Sequence, residues 1–148
     1  MLDKVWHSSI VEMQKVSEQV WNGYLEGATT IEISILSIVE KNPDVILKEI
    51  IQILGIPAST LTNAVDRLEK RGLLQRVISK RDRRSFGLEL TEKGHSAQIE
   101  HRKGEEILWK RVLGAYDTDE ERAEFLRLMQ KLVENFGRTE RMVSENAR

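Results

Sequence analysis

The stretch Leu47-Lys48-Glu49-Ile50-Ile51-Gln52-Ile53-Leu54-Gly55-Ile56-Pro57-Ala58-Ser59-Thr60-Leu61-Thr62-Asn63-Ala64-Val65-Asp66-Arg67-Leu68 decides the fold. Leu47, Ile50, Ile51 and Leu54 repeat at the spacing of one helical face, and so do Leu61, Ala64, Val65 and Leu68. Between the two faces stands only Gly55-Ile56-Pro57. Glycine suits the left-handed residue that ends a helix, and proline suits the first turn of the next, where its missing amide hydrogen costs nothing. Two short amphipathic helices joined this tightly make a helix-turn-helix.

Downstream, Gly72 closes the second helix and the period changes to two. Leu74, Arg76 and Ile78 alternate with Gln75 and Val77, and Phe86, Leu88 and Leu90 with Gly87 and Glu89, which predicts a hairpin whose tip is Lys80-Arg81-Asp82-Arg83-Arg84-Ser85. Thr91 then caps a long helix carrying Ala97, His101, Gly104, Leu108, Val112 and Ala115 on one stripe. Thr118 and Glu121 form a capping box that opens a last helix striped by Phe125, Met129, Leu132 and Phe136. Upstream, Ile31 to Val39 fits both periods, and the capping box of Thr29 with Glu32 decides for helix. The first segment, with Trp6, Ile10, Met13, Val20 and Tyr24 on one face, predicts an amphipathic helix ending near Gly27. The fold expected is mainly α (α+β): a winged helix-turn-helix over 29–94, flanked by long N- and C-terminal dimerisation helices at 1–27 and 95–148.

A chain of 148 residues fits a single domain over 1–148. Acidic and basic residues nearly cancel at 24 and 23, so any nucleic-acid reading rests on where the charges sit. With no cysteine there is no disulfide framework or thiolate metal site. Neither a signal-like N-terminus nor an apolar run of membrane-spanning length is present, so no membrane partner and a cytoplasmic location are expected. Between Arg67 and Arg84, Arg67, Lys70, Arg71, Arg76, Lys80, Arg81, Arg83 and Arg84 face only Glu69 and Asp82, a net charge of plus six. A charge run by itself usually marks a solvated face. This one covers the end of the second helix and the hairpin tip, which a winged helix presents to a duplex. Ser59, Thr60, Thr62 and Asn63 occupy the exposed positions at the start of the same helix, where short polar side chains reach base edges or phosphates.

The run from Ser59 to Arg76, then Asp82-Arg83-Arg84-Ser85 and Leu88-Glu89-Leu90-Thr91-Glu92-Lys93-Gly94, resembles the MarR (multiple antibiotic resistance regulator) family: its recognition helix, its Asp-x-Arg wing tip and its Leu-Thr-x-x-Gly entry to the next helix. Pro57, where serine or threonine is frequent, and Ile46, where a polar cap is usual, depart from that pattern. The resemblance implies a homodimer held by the first and last helices, reading successive major grooves of a palindromic operator in double-stranded DNA, and a repressor. It also implies that Ser59, Thr60, Thr62 and Asn63 face bases or nearby phosphates, that Arg67 and Arg71 hold phosphates, and that Arg84 enters a minor groove with Asp82 orienting it. Narrow minor grooves attract an inserted arginine. Lys80, Arg81 and Arg83 share that tip. Similar regulators often answer to small lipophilic or aromatic effectors, for which Trp6, Trp21, Tyr24 and Trp109 are the candidate pocket residues.

Other classes fit less well. No nucleophile–base pair, metal set or phosphate loop is legible, so no enzyme, no cofactor and no metal are expected. His7, His95 and His101 do not cluster, and His101 on an apolar stripe is more often a core residue than a ligand. A metal-responsive regulator and a winged-helix protein-interaction module remain the alternatives, and the basic wing weighs against the second.

Overall fold

The computed structural model describes the backbone of residues 2–20, 23–81 and 83–146, and the side chains of 3–5, 7–15, 23–81 and 83–135. The elements in order are α1 (Leu2–Val20), α2 (Thr30–Lys41), α3 (Leu47–Leu54), α4 (Ala58–Lys70), β1 (Leu74–Ile78), β2 (Phe86–Leu90), α5 (Glu92–Gly114) and α6 (Asp119–Asn146). The chain divides into two compact units, Met1–Ile107 and Leu108–Arg148. No described helix is long and apolar enough to cross a membrane.

In the first unit, Ile35, Leu36 and Val39 of α2 meet the inner face of α4, namely Leu61, Ala64, Val65 and Leu68, with Ile50 of α3, Leu74 and Leu88 of the sheet, and Ala97 of α5. These are the positions that the helical and strand periods place on one face, and burying them supplies most of the driving force for the fold. Outside that face α4 carries polar side chains. β1 and β2 pair antiparallel with Leu74 opposite Leu90, Arg76 opposite Leu88 and Ile78 opposite Phe86. The face shared by these pairs runs from buried Leu74 and Leu88 at the root to exposed Ile78 and Phe86 near the tip, so the hairpin projects from the core as a wing. A single bridge between Ile46 and Gly87 adds the α2–α3 connection to the edge of the sheet.

The helix limits follow local chemistry. Thr29 Oγ1 accepts from the Glu32 amide while the Glu32 carboxylate accepts from the Thr29 amide, the reciprocal cap read from the sequence. Gly55 and Gly72 take φ of 62° and 71° as α3 and α4 end. After α4 the Gly72 amide donates to Glu69 and the Leu73 amide to Leu68, a Schellman closure that needs a left-handed residue. α4 begins after Pro57 without a side-chain cap.

The entry to α5 is the tightest junction. Thr91 Oγ1 accepts from the Gly94 amide and donates to the Gly72 carbonyl, while the Thr91 amide donates to the Leu73 carbonyl. A Cβ on Gly94 would stand 1.9 Å from the Leu73 carbonyl oxygen. The Leu-Thr-x-x-Gly run is therefore a docking device: threonine ties two turns together and glycine lets helix and backbone touch.

The first helix differs from expectation. α1 is described over Leu2–Val20, and 24–27 form a turn instead of a continuing helix. The turn is held from far along the chain. The Glu100 carboxylate accepts from the Tyr24 amide, and Arg71 Nη2 donates to the Tyr24 and Glu26 carbonyls at 2.7 and 2.8 Å. Leu25, between them, is buried. In the second unit the Thr118–Glu121 capping box forms as read, and Tyr116 stacks on Phe125 with ring centroids 5.2 Å apart.

Candidate nucleic-acid interface

The core face of α4 fixes which side chains it turns to solvent. With Leu61, Ala64, Val65 and Leu68 buried, Ser59, Thr62 and Asn63 are exposed and Thr60 is half-buried at the edge. Thr62 Oγ1 donates back to the Ala58 carbonyl at 2.9 Å, so its proton is engaged while its oxygen can still accept. Asn63, with both donors and an acceptor, is the better equipped of the two for reading a base edge.

Several of the basic residues are engaged within the lobe. Arg67 Nε donates to the carboxylate of Glu32, which is 2 % exposed and also caps α2, so the guanidinium ties the end of α4 to the start of α2. Arg71 holds the turn at 24–26. Arg76 is pinned between Asp66 and Glu69, with its amide also donating to Glu69. Arg81 Nη2 donates to the Asp44 carbonyl and the Glu49 carboxylate. These four arginines thus have intramolecular partners, and the local charge excess is partly spent on stitching the lobe together. Arg67 and Arg81 remain half exposed on their other edges.

Lys70, Lys80, Arg83 and Arg84 are exposed, the last three around the wing tip. The Ser79 amide donates to the Ser85 carbonyl and closes that tip. Asp82, expected to orient Arg84, lies outside the described residues. The structure thus brings two groups to the surface of one unit: the polar start of α4 and the cations of the wing.

Of the aromatic residues expected to line an effector pocket, Trp21 and the Trp6 side chain lie outside the described residues. Tyr24, in the first unit, is exposed with Lys93 Nζ 6.0 Å from its ring centroid. Trp109, in the second, is exposed on α5. Within the second unit, Tyr116, Phe125 and Leu128 with Glu120, Glu121 and Glu124 wall an open groove of about 500 Å³. Sequence reading passed over this groove because Phe125 was counted only as part of a stripe.

Among the described residues no group of three or more His, Cys, Asp or Glu could hold a metal ion. Sequence reading also missed Glu49 and Glu32 as partners of arginines. The Glu49 carboxyl is held below its ordinary range, first by the Ile46 amide and then by Arg81.

A helix-turn-helix with a polar outer face, followed by a hairpin wing, defines the winged-helix class. Residues 26–85 match the model of the MarR family. The chain is 28% identical over 109 residues to the HTH-type transcriptional repressor MdtR of Bacillus subtilis (strain 168), covering 74% of this chain and 70% of that protein. The solved structure of Streptococcus pneumoniae FabT in complex with DNA is 21% identical with a TM-score of 0.72, covering 92% of each chain. The PcaV transcriptional regulator of Streptomyces coelicolor, solved with its natural ligand, is 20% identical with a TM-score of 0.64, covering 90% of this chain and 89% of that one.

Proposed function

We propose that the protein is a sequence-specific double-stranded DNA-binding transcriptional regulator, a repressor that acts as a homodimer on a palindromic operator and answers to a small lipophilic or aromatic effector. The observation that carries this reading is the exposure of Ser59, Thr62 and Asn63 on α4 in the same unit as the wing-tip cations Lys80, Arg83 and Arg84. A polar helix start suits a major groove, and a basic tip suits the adjacent minor groove. The likeness to MdtR, a repressor, and to FabT, solved on DNA, supports the same reading, and PcaV with its ligand supports an effector. In this assignment 29–94 is the DNA-binding lobe, with Ser59, Thr60, Thr62, Asn63 and Arg84 at bases or groove and Lys80 and Arg83 at phosphates. Arg67 and Arg71 reach phosphates only with donors that their internal partners leave over.

Selection from a random duplex library tests it. The expected product is a palindrome with half-sites ~10 base pairs apart, bound more weakly as salt rises. Asn63→Ala should relax base choice at one position of each half-site by roughly 1 to 3 kcal/mol while affinity for random duplex stays as it was. A protein that enriches no sequence and ignores duplex at low salt overturns the reading.

The segments 1–27 and 95–148 are assigned to dimerisation. α1 exposes Val5, Ile10, Val11 and Met13, and α6 exposes Leu126, Leu128, Met129, Leu132 and Val133. Apolar stripes of that length on a soluble chain call for a covering surface, and a second copy related by a two-fold axis supplies one. Sedimentation should therefore report twice the chain mass of 17.1 kDa. A monomer at micromolar concentration refutes the assignment.

A further inference from the structure

We propose that Arg81 is a positioning residue of the wing instead of a phosphate contact, and that Glu49 is its counterpart. The proposal rests on the DNA-binding reading above and concerns how the two DNA-facing elements are held at a fixed angle to each other.

Three ties join the hairpin to the start of α3. Ile46 bridges Gly87 at the edge of β2. Arg81 Nη2 donates to the Asp44 carbonyl at 3.0 Å and to Glu49 Oε2 at 2.7 Å. The same Glu49 oxygen accepts from the Ile46 amide at 3.0 Å, the cap that an isoleucine side chain cannot provide. Glu49 thus does two things with one carboxylate: it starts α3 and anchors the wing. Arg81 is itself fixed at its root, because its amide donates to the hydroxyl of Ser79, whose own amide closes the wing tip.

Asp44 has φ of 67°, a conformation that residues other than glycine rarely adopt and that persists where the surroundings hold it. Its carbonyl is the one that Arg81 takes. A planar fork of donors can bridge a carbonyl and a carboxylate together, whereas an ammonium offers a single point of charge. α3 packs on α4, so anchoring the wing to α3 sets its direction relative to the recognition helix.

The test uses the full chain with the duplex that it selects, and the variants Arg81→Gln, Glu49→Gln and both together. Glutamine at 49 can still accept from the Ile46 amide, so the start of α3 is kept. Each single variant is expected to weaken binding by about two- to fivefold, the range of an exposed charge pair, and the double variant no further. The slope of log affinity against log salt should equal the parent's in all three, because no phosphate contact is lost. Hydrogen exchange in the free protein should show faster exchange at 79 and 87 in both single variants.

A slope lower by about 0.9 for Arg81→Gln, with Glu49→Gln binding as well as the parent or better, makes Arg81 a phosphate contact and overturns the proposal. Should neither parent nor variants bind any duplex, the DNA reading fails, and the exchange data alone judge the clamp: faster exchange in both single variants upholds it and unchanged exchange overturns it.

Discussion

Gly94→Ala is expected to destabilise the protein by about 3 kcal/mol, the upper end of what one inserted methyl does to a packed site. The added carbon would meet the Leu73 carbonyl oxygen at 1.9 Å and its carbon at 3.0 Å. Neither atom belongs to a flexible side chain. The Leu73 carbonyl also accepts from the Thr91 amide, and the Leu73 amide closes the end of α4, so relief must come from moving α5 away from the sheet or from opening the end of the recognition helix. At fixed protein concentration, thermal unfolding should fall by roughly 6 to 12 °C for a chain of this length. Gly114→Ala is the matched control. Its Cβ would meet nothing within 4 Å at the other end of the same helix, so the ordinary helix preference for alanine should leave stability unchanged or slightly higher. Equal melting of both variants and the parent would show that α5 does not press on Leu73.

Arg84→Ala is expected to reduce operator affinity by about ten- to a hundredfold, the loss of a charge-assisted contact worth about 1.5 to 3 kcal/mol. Because the residue is proposed to enter a narrow minor groove, where negative potential is concentrated, the salt slope should shrink by about 0.9 and the preference for A·T-rich flanks should fade. Arg84→Lys separates charge from shape: the slope should return while part of the affinity stays lost, since lysine lacks the planar fork. An Arg84→Ala protein with the parent's affinity and slope removes the wing from the minor groove. Arg81 and Arg84 thus make opposite forecasts from neighbouring positions on one hairpin, and the salt slope is the quantity that tells them apart.

Much of the lobe is legible in the chain because its signals are local. The alternation of periods at Gly72, the Gly55-Ile56-Pro57 turn and the Thr29–Glu32 and Thr118–Glu121 capping boxes all act over four residues or fewer, and each is found where the sequence places it. The faces follow too, since the repeat that makes a helix amphipathic also decides which residues of α4 point away from the core. Gly94 was legible as a motif residue, but its reason was not: it is a contact with a carbonyl 21 positions earlier, visible only once α5 is docked.

The helix-turn-helix, the wing, the polar start of α4 and the concentration of cations between Arg67 and Arg84 follow from spacing and side-chain type alone. What those cations bind within the fold depends on contacts between distant parts of the chain. Arg67 meets Glu32 across 35 positions, Arg71 meets Tyr24 and Glu26 across 47 and 45, and Arg81 meets Glu49 across 32. Tertiary contacts likewise set the turn at 24–27, where Glu100 and Arg71 hold backbone that the helical pattern would have kept in the helix. The physical reason is one of range: caps, turns and amphipathic faces are settled among neighbours a few residues apart, whereas a guanidinium takes whichever carboxylate or carbonyl the folded backbone brings within 3 Å of it.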